Sequence, residues 1–180
     1  MEQETTKVIL YAYPYLRALA EASGAAAENK ARLSFRCRLD TLDEMERIAE
    51  ELAVRCALLR LAEAADAFVA ACSAEERFLL EYRYFRRGGK GTHACAVPCS
   101  ERTYYRRQNA LLKKAAAYFA AHGWRESEYF AAFSAYAPFA RLLRTIRSGR
   151  ESALVTHREK RRLKFRTPAP SAGDASRAEG

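Results

Sequence analysis

Apolar positions along this chain recur mainly at spacings of three and four, the period of a helix. Residues 5–22 (TTKVILYAYPYLRALAEA) read as one helix interrupted at Pro14, because proline lacks a backbone donor and clashes with the preceding turn. Gly24 is expected to make a turn, followed by a weaker helical stretch from about Ala25 to Arg38. Asp40 or Thr41 then caps a long helix, with Asp43, Glu44 and Glu46 in its first turns, where the helix dipole favours acids. Leu42, Met45, Ala49, Leu52, Cys56 and Leu59 form a seam along it, core-facing or of coiled-coil type, until Glu63 and Asp66 fall on the same line. Such a helix is a scaffold or a contact between two copies, and the seam permits a homodimer as readily as burial within one chain.

Ser73 and Glu76 have the spacing of a capping box. The helix they start is expected to reach Arg87, with Phe78, Leu79, Tyr82 and Phe85 buried, and to stop at the glycines of RRGGKG. Residues 92–97 (THACAV) have room for one or two helical turns before Pro98. Ser100 caps the next helix, expected to run to Ala121 and to end at Gly123. Another is expected over Glu126–Ser148, bent at Pro138, and then a basic helical stretch over 151–166. The end, TPAPSAGDASRAEG, has no periodicity and reads as disordered.

Composition agrees with an all-α chain: alanine and leucine are abundant, and the β-branched residues that favour strands are scarce. The pattern divides it into a helical N-terminal scaffold (1–72), a C-terminal helix-turn-helix module (73–122), further basic helices (123–166) and a tail (167–180). The net charge of +9 is unevenly spread, with −4 over residues 1–75 and +13 over 76–180, which points the second half towards a polyanion. Five cysteines, an odd number, and an N-terminus without the pattern of an export signal imply reduced thiols and a cytoplasmic location. No apolar run reaches the length of a membrane span.

The order of elements over 73–121 is helix, basic turn, short helix, tight turn, capped helix, as in a helix-turn-helix. A capped helix start offers backbone N–H groups to phosphates, and its first turns can enter a major groove. Helical spacing sends Tyr104, Gln108, Leu111, Ala115 and Phe119 towards the other helices. The opposite side carries Arg102, Thr103, Tyr105, Arg106, Asn109 and Lys113, with Arg107 between the two faces. Arginine and asparagine suit base edges; tyrosine, threonine and lysine suit phosphates. Ser100 caps this helix, and Arg86, Arg87, Lys90 and Thr92 lie on the approach side.

The stretches SAEERFLLEYRYF and CSERTYYRRQNALLKK resemble the region-four helix-turn-helix of sigma factors, and within that group the ArpU/RinA-type phage regulators of Firmicutes. The N-terminal YAYPYLRAL is similar to theirs more loosely. The resemblance covers about 50 residues and departs from the family at GTHACAVPCS, where Pro98 stands in place of a common glycine. It implies a DNA-binding transcription regulator from a prophage or other mobile element, with Ser100 as the cap of the recognition helix and Arg102, Thr103 and Arg106 where the family meets DNA. It further implies a contact with RNA polymerase.

Other chemistries are weaker. The rival reading of a different class is a helical adaptor whose basic face meets an acidic protein. His93, Cys95 and Cys99 supply three ligands for a zinc ion, and the nearest fourth is His122, at the far end of a helix. RRGGKG lacks the spacing of a phosphate loop, the histidines are scattered, and no acid–base pair suggests an enzyme or a cofactor. Trp124, Tyr129, Phe130, Phe133, Tyr136 and Phe139 are spaced as a core cluster. The run REKRRLKFR (158–166) is either a phosphate-gripping extension or a solvated helix end.

Overall fold

A computed structural model of the chain describes residues 1–34, 41–85 and 99–149. Every regular element among them is helical, so the fold is all-α. The first helix, α1 (Gln3–Ala12), is buried over most of its circumference, from Thr5 and Thr6 through Val8, Ile9, Leu10, Tyr11 and Ala12. The two threonine hydroxyls enter the core without cost in lost hydrogen bonds, because both donate to the Glu2 carbonyl, at 3.0 and 2.9 Å. Pro14 then forces a single tight turn, Tyr13–Tyr15, before α2 (Leu16–Ser34).

Helix α2 runs antiparallel to α3 (Thr41–Ala70). The pairing is fixed along its length: Arg17 bonds Asp66 at 2.6 Å, Gly24 lies against Arg55, and Lys30 bonds Glu51 at 2.9 Å. Tyr13 adds a hydrogen bond to Asp66 at 2.8 Å. Burial together with that bond pushes the Tyr13 hydroxyl up to about 12, so it stays a donor.

Several sequence expectations change here. Gly24 is not a turn. It lies within α2, buried where that helix crosses the Arg55 side chain. Its missing side chain leaves room for the Arg55 chain to lie over the helix, and a single glycine in nineteen residues is not enough to end it. A Cβ at this position would stand 3.2 Å from the end of the exposed Arg55 chain, which can swing into solvent. Gly24→Ala is therefore expected to stabilise the protein by about 0.5 kcal/mol, as a small rise in thermal midpoint.

The seam on α3 does not face the core. Leu42, Met45 and Leu52 are 71%, 61% and 42% exposed, and Ala49 and Cys56 are exposed with them. The buried face is a different one, formed by Leu58, Leu61, Ala62, Ala65 and Phe68. The fully buried residues of α3 all lie in its C-terminal half, and its N-terminal half meets α2 through Arg55 beside Gly24 and the Lys30–Glu51 pair.

The capping box forms as expected: the Ser73 N–H donates to Glu76 Oε2 at 2.8 Å, and the Glu76 N–H donates to Ser73 Oγ at 3.2 Å. The helix it starts, α4 (Ala74–Leu80), passes into a π turn over Glu81–Phe85. The wider turn rotates the buried face: Leu79, Leu80 and Tyr84 are buried, while Phe78, Tyr82 and Phe85 are half-buried. Tyr84 meets Tyr11 edge-on, with ring centroids 4.8 Å apart.

Helix α5 (Glu101–Ala121) ends as expected, with Gly123 in the left-handed region at φ 79°. The single bent helix expected over 126–148 is instead two, α6 (Glu126–Phe133) and α7 (Ala137–Arg147). The break precedes Pro138, which sits in the first turn of α7, where its missing N–H costs no helical bond. Trp124, Tyr129, Phe133 and Phe139 are buried as a cluster, with Phe130 and Tyr136 at its margin. An Arg147–Glu4 pair at 2.9 Å ties α7 back to α1. The stretches expected over 151–166 and 167–180 lie outside the described residues.

Candidate nucleic-acid interface

Helix α5 starts where Ser100, in extended conformation, accepts a hydrogen bond from the Thr103 backbone N–H at 3.4 Å. The two hydroxyls of Ser100 and Thr103 lie 3.0 Å apart, which leaves Thr103 half-buried beside the cap. The sorting of faces follows the sequence closely. Tyr104, Gln108, Leu111, Leu112, Ala115 and Phe119 are buried. Gln108, the polar member, donates from Nε2 to Tyr104 Oη at 3.1 Å, so its burial leaves that donor satisfied. Phe119 anchors the far end of the helix against Phe68 of α3, with ring centroids at 5.5 Å.

The outward face carries Arg102, Arg106, Asn109 and Lys113, all exposed. They follow one another over three helical turns, roughly 16 Å. Arg102, Arg106 and Lys113 have no ion-pair partner among the described residues. Tyr105, 49% exposed, stands to one side of this face with its ring edge-on to Tyr104.

The other flank differs. Arg107 bonds Glu75 at 3.0 Å, and Lys114 bonds Glu76 at 2.7 Å, both across to the first turn of α4. Sequence reading assigned Arg107 to the interface and overlooked Lys114, Glu75 and Glu76. The signal was present in Glu76 of the capping box and its neighbour Glu75, but which basic residues they meet depends on how α4 crosses α5. Both pairs are largely solvated and each contributes at most about 1 kcal/mol. Their larger effect is to compensate the charge on one side of α5, whereas the next side meets no acid among the described residues.

Lys114 and the Ser73 backbone N–H hold the Glu76 carboxyl below the usual glutamate range, against an opposing push from burial. A folded value below the unfolded one means that this stabilisation is complete above roughly pH 4–5 and is lost as pH falls through the folded value. Glu76→Gln is expected to lower stability by about 1 kcal/mol near neutral pH. The loss should shrink as pH falls through the folded value, and thermal melts at neutral and at progressively acidic pH measure the difference.

Arg86, Arg87, Lys90 and the short segment over 92–97 lie outside the described residues, as do His93 and Cys95. His122 does not complete a zinc site with Cys99, because roughly 30 Å of α5 separates them. The His122 ring stacks on Tyr118 at 4.0 Å, and its Nδ1 lies 2.8 Å from the Tyr118 carbonyl. Among the described residues, no group of His, Cys, Asp and Glu has metal-binding geometry. No described helix is long and apolar enough to cross a membrane. An open groove of about 320 Å³ between Tyr15, Leu19, Pro138 and Leu142 carries one charged side chain, Arg141, and no acid–base pair.

Fold and site together define an all-α fold over the described residues, with a capped helix whose outward basic face meets no acidic partner among them. No protein-family model matches the chain, and comparisons with curated proteins and with solved structures find no match either.

Proposed function

We propose that this protein is a sequence-specific DNA-binding regulator of transcription that reads the major groove with the first three turns of α5. The observation that carries the reading is the division of charge on that helix. Arg107 and Lys114 are held by Glu75 and Glu76, whereas Arg102, Arg106 and Lys113, beside Asn109 on the same helix, have no ion-pair partner among the described residues. Arg102 and Arg106 are one turn apart, the spacing that lets two guanidiniums meet neighbouring base edges, and arginine pairs bidentately with guanine. Lys113, two turns further along, falls where the groove gives way to backbone, and suits a phosphate. The sequence resemblance to sigma region-four modules points the same way, and a role at phage or mobile-element promoters rests on that resemblance alone.

A basic face also suits an acidic protein, and salt dependence is common to both partners. Sequence preference separates them, since only a groove reader distinguishes two duplexes of equal length. The test is selection from a pool of random duplexes by the full chain. Enrichment of a defined motif supports the reading. Binding without enrichment reduces α5 to phosphate attraction, and no binding at low salt turns the assignment to an acidic protein partner.

A further inference from the structure

We propose that Glu75 holds Arg107 back from the DNA backbone, so that one exchangeable carboxylate sets how strongly α5 grips a duplex of any sequence. The inference rests on the reading of α5 as the groove-entering helix and assigns a regulation to that same surface.

The two ion pairs between α4 and α5 are not alike. The Glu76 carboxylate is engaged three times: Oε2 accepts from the Ser73 N–H at 2.8 Å, and Lys114 Nζ donates to Oε1 at 2.8 Å and to Oε2 at 2.7 Å. It serves the start of α4 as well as the cation, and its side chain is only 28% exposed. The Glu75 side chain is 73% exposed and takes no part in the capping box. Among the described residues it meets Arg107 alone, through one guanidinium nitrogen at 3.0 Å. A solvated pair of this kind is cheap to open. Lys114 is thus fixed into the fold, whereas Arg107 can change partner.

Arg107 stands where a partner would be met. It follows Arg106 directly, about 100° further round the helix. A major groove about 12 Å wide is filled by a helix about 10–12 Å across, so the flanks of α5, seated on its Arg102–Arg106 face, come against the phosphates that wall the groove. Arg107 lies on such a flank, in the second turn. With Glu75 beside it that flank is neutral, and one phosphate contact is missing from the sum on which sequence-independent binding rests. Arg102 and Arg106, assigned to base edges, have no such acid among the described residues, so the motif is read unchanged.

The experiment compares the full chain with Glu75→Gln and with Glu75→Gln/Arg107→Ala, on the selected duplex and a scrambled one, at several salt concentrations. One added phosphate contact is worth roughly three- to tenfold in affinity and about one counterion in the salt slope. Glu75→Gln should show both gains on both duplexes, with circular dichroism unchanged. In the double variant the slope should return to that of the unsubstituted chain, because the cation that would take up the phosphate is gone. A rise in slope that persists in the double variant makes Glu75 a merely repulsive charge and overturns the inference. A chain that binds no duplex at low salt overturns the groove reading along with it. A chain that binds the selected duplex but gains nothing from Glu75→Gln overturns this inference alone.

Discussion

Arg102→Ala/Arg106→Ala is expected to lose the enriched DNA motif and to bind the selected duplex at least 30-fold more weakly. Each bidentate arginine–guanine contact is worth about 1–3 kcal/mol, so two removed together cost roughly 2–6 kcal/mol. Both side chains are exposed, and neither has an ion-pair partner among the described residues, so the fold should be untouched. Two further variants make the comparison specific. Arg107→Ala should cost less affinity, because that guanidinium already bonds Glu75 at 3.0 Å. Lys113→Ala should weaken all duplexes alike and reduce the salt slope by about one counterion. Titration of the selected duplex and a scrambled one, at several salt concentrations, reads all of these. A double variant that retains the motif would remove residues 102–106 from the groove.

Phe119→Ala should be the most damaging single change on the same helix. The ring is fully buried and meets both Phe68 and Tyr118. Truncating a buried phenylalanine costs about 3–5 kcal/mol, a large share of the 5–15 kcal/mol that typically holds a domain together. The urea midpoint should fall with the slope unchanged. Tyr105→Ala, a truncation of similar size at a 49% exposed position, should cost no more than about 0.5 kcal/mol. Equal losses at the two positions would mean that α5 does not pack with the face described.

The contrast between α5 and α3 explains how far the sequence could be read. On α5 the apolar positions and the buried positions coincide, because the helix has body on one side and solvent on the other; a period of 3.6 is then sufficient. On α3 the most regular apolar line, from Leu42 to Cys56, is exposed, and the buried line through Leu58, Leu61, Ala65 and Phe68 is less conspicuous in the sequence. Periodicity reports which residues share a face. It does not report whether anything lies against that face.

The same distinction holds for single residues. The Ser73–Glu76 box, the Ser100 cap, the Gly123 terminus and the break at Pro14 act within a turn of themselves, so their chemistry is local and legible. Gly24 was misread because a lone glycine punctuates a chain only where the flanking residues fail to carry the helix on, and here α2 continues through it to pack along α3. The rotation of buried face after Leu80 depends on a π turn that brings Tyr84, rather than Tyr82, against Tyr11.

By itself the sequence determined the helical class, the helix starts, and which side chains share the outer face of α5, because each follows from short-range sterics, capping and periodicity. Only the tertiary structure decided which cations on α5 are compensated and which face of α3 is left uncovered. Those outcomes depend on which helices cross, at what residues, and no local pattern encodes a contact between Glu75 and Arg107, thirty-two residues apart in the sequence.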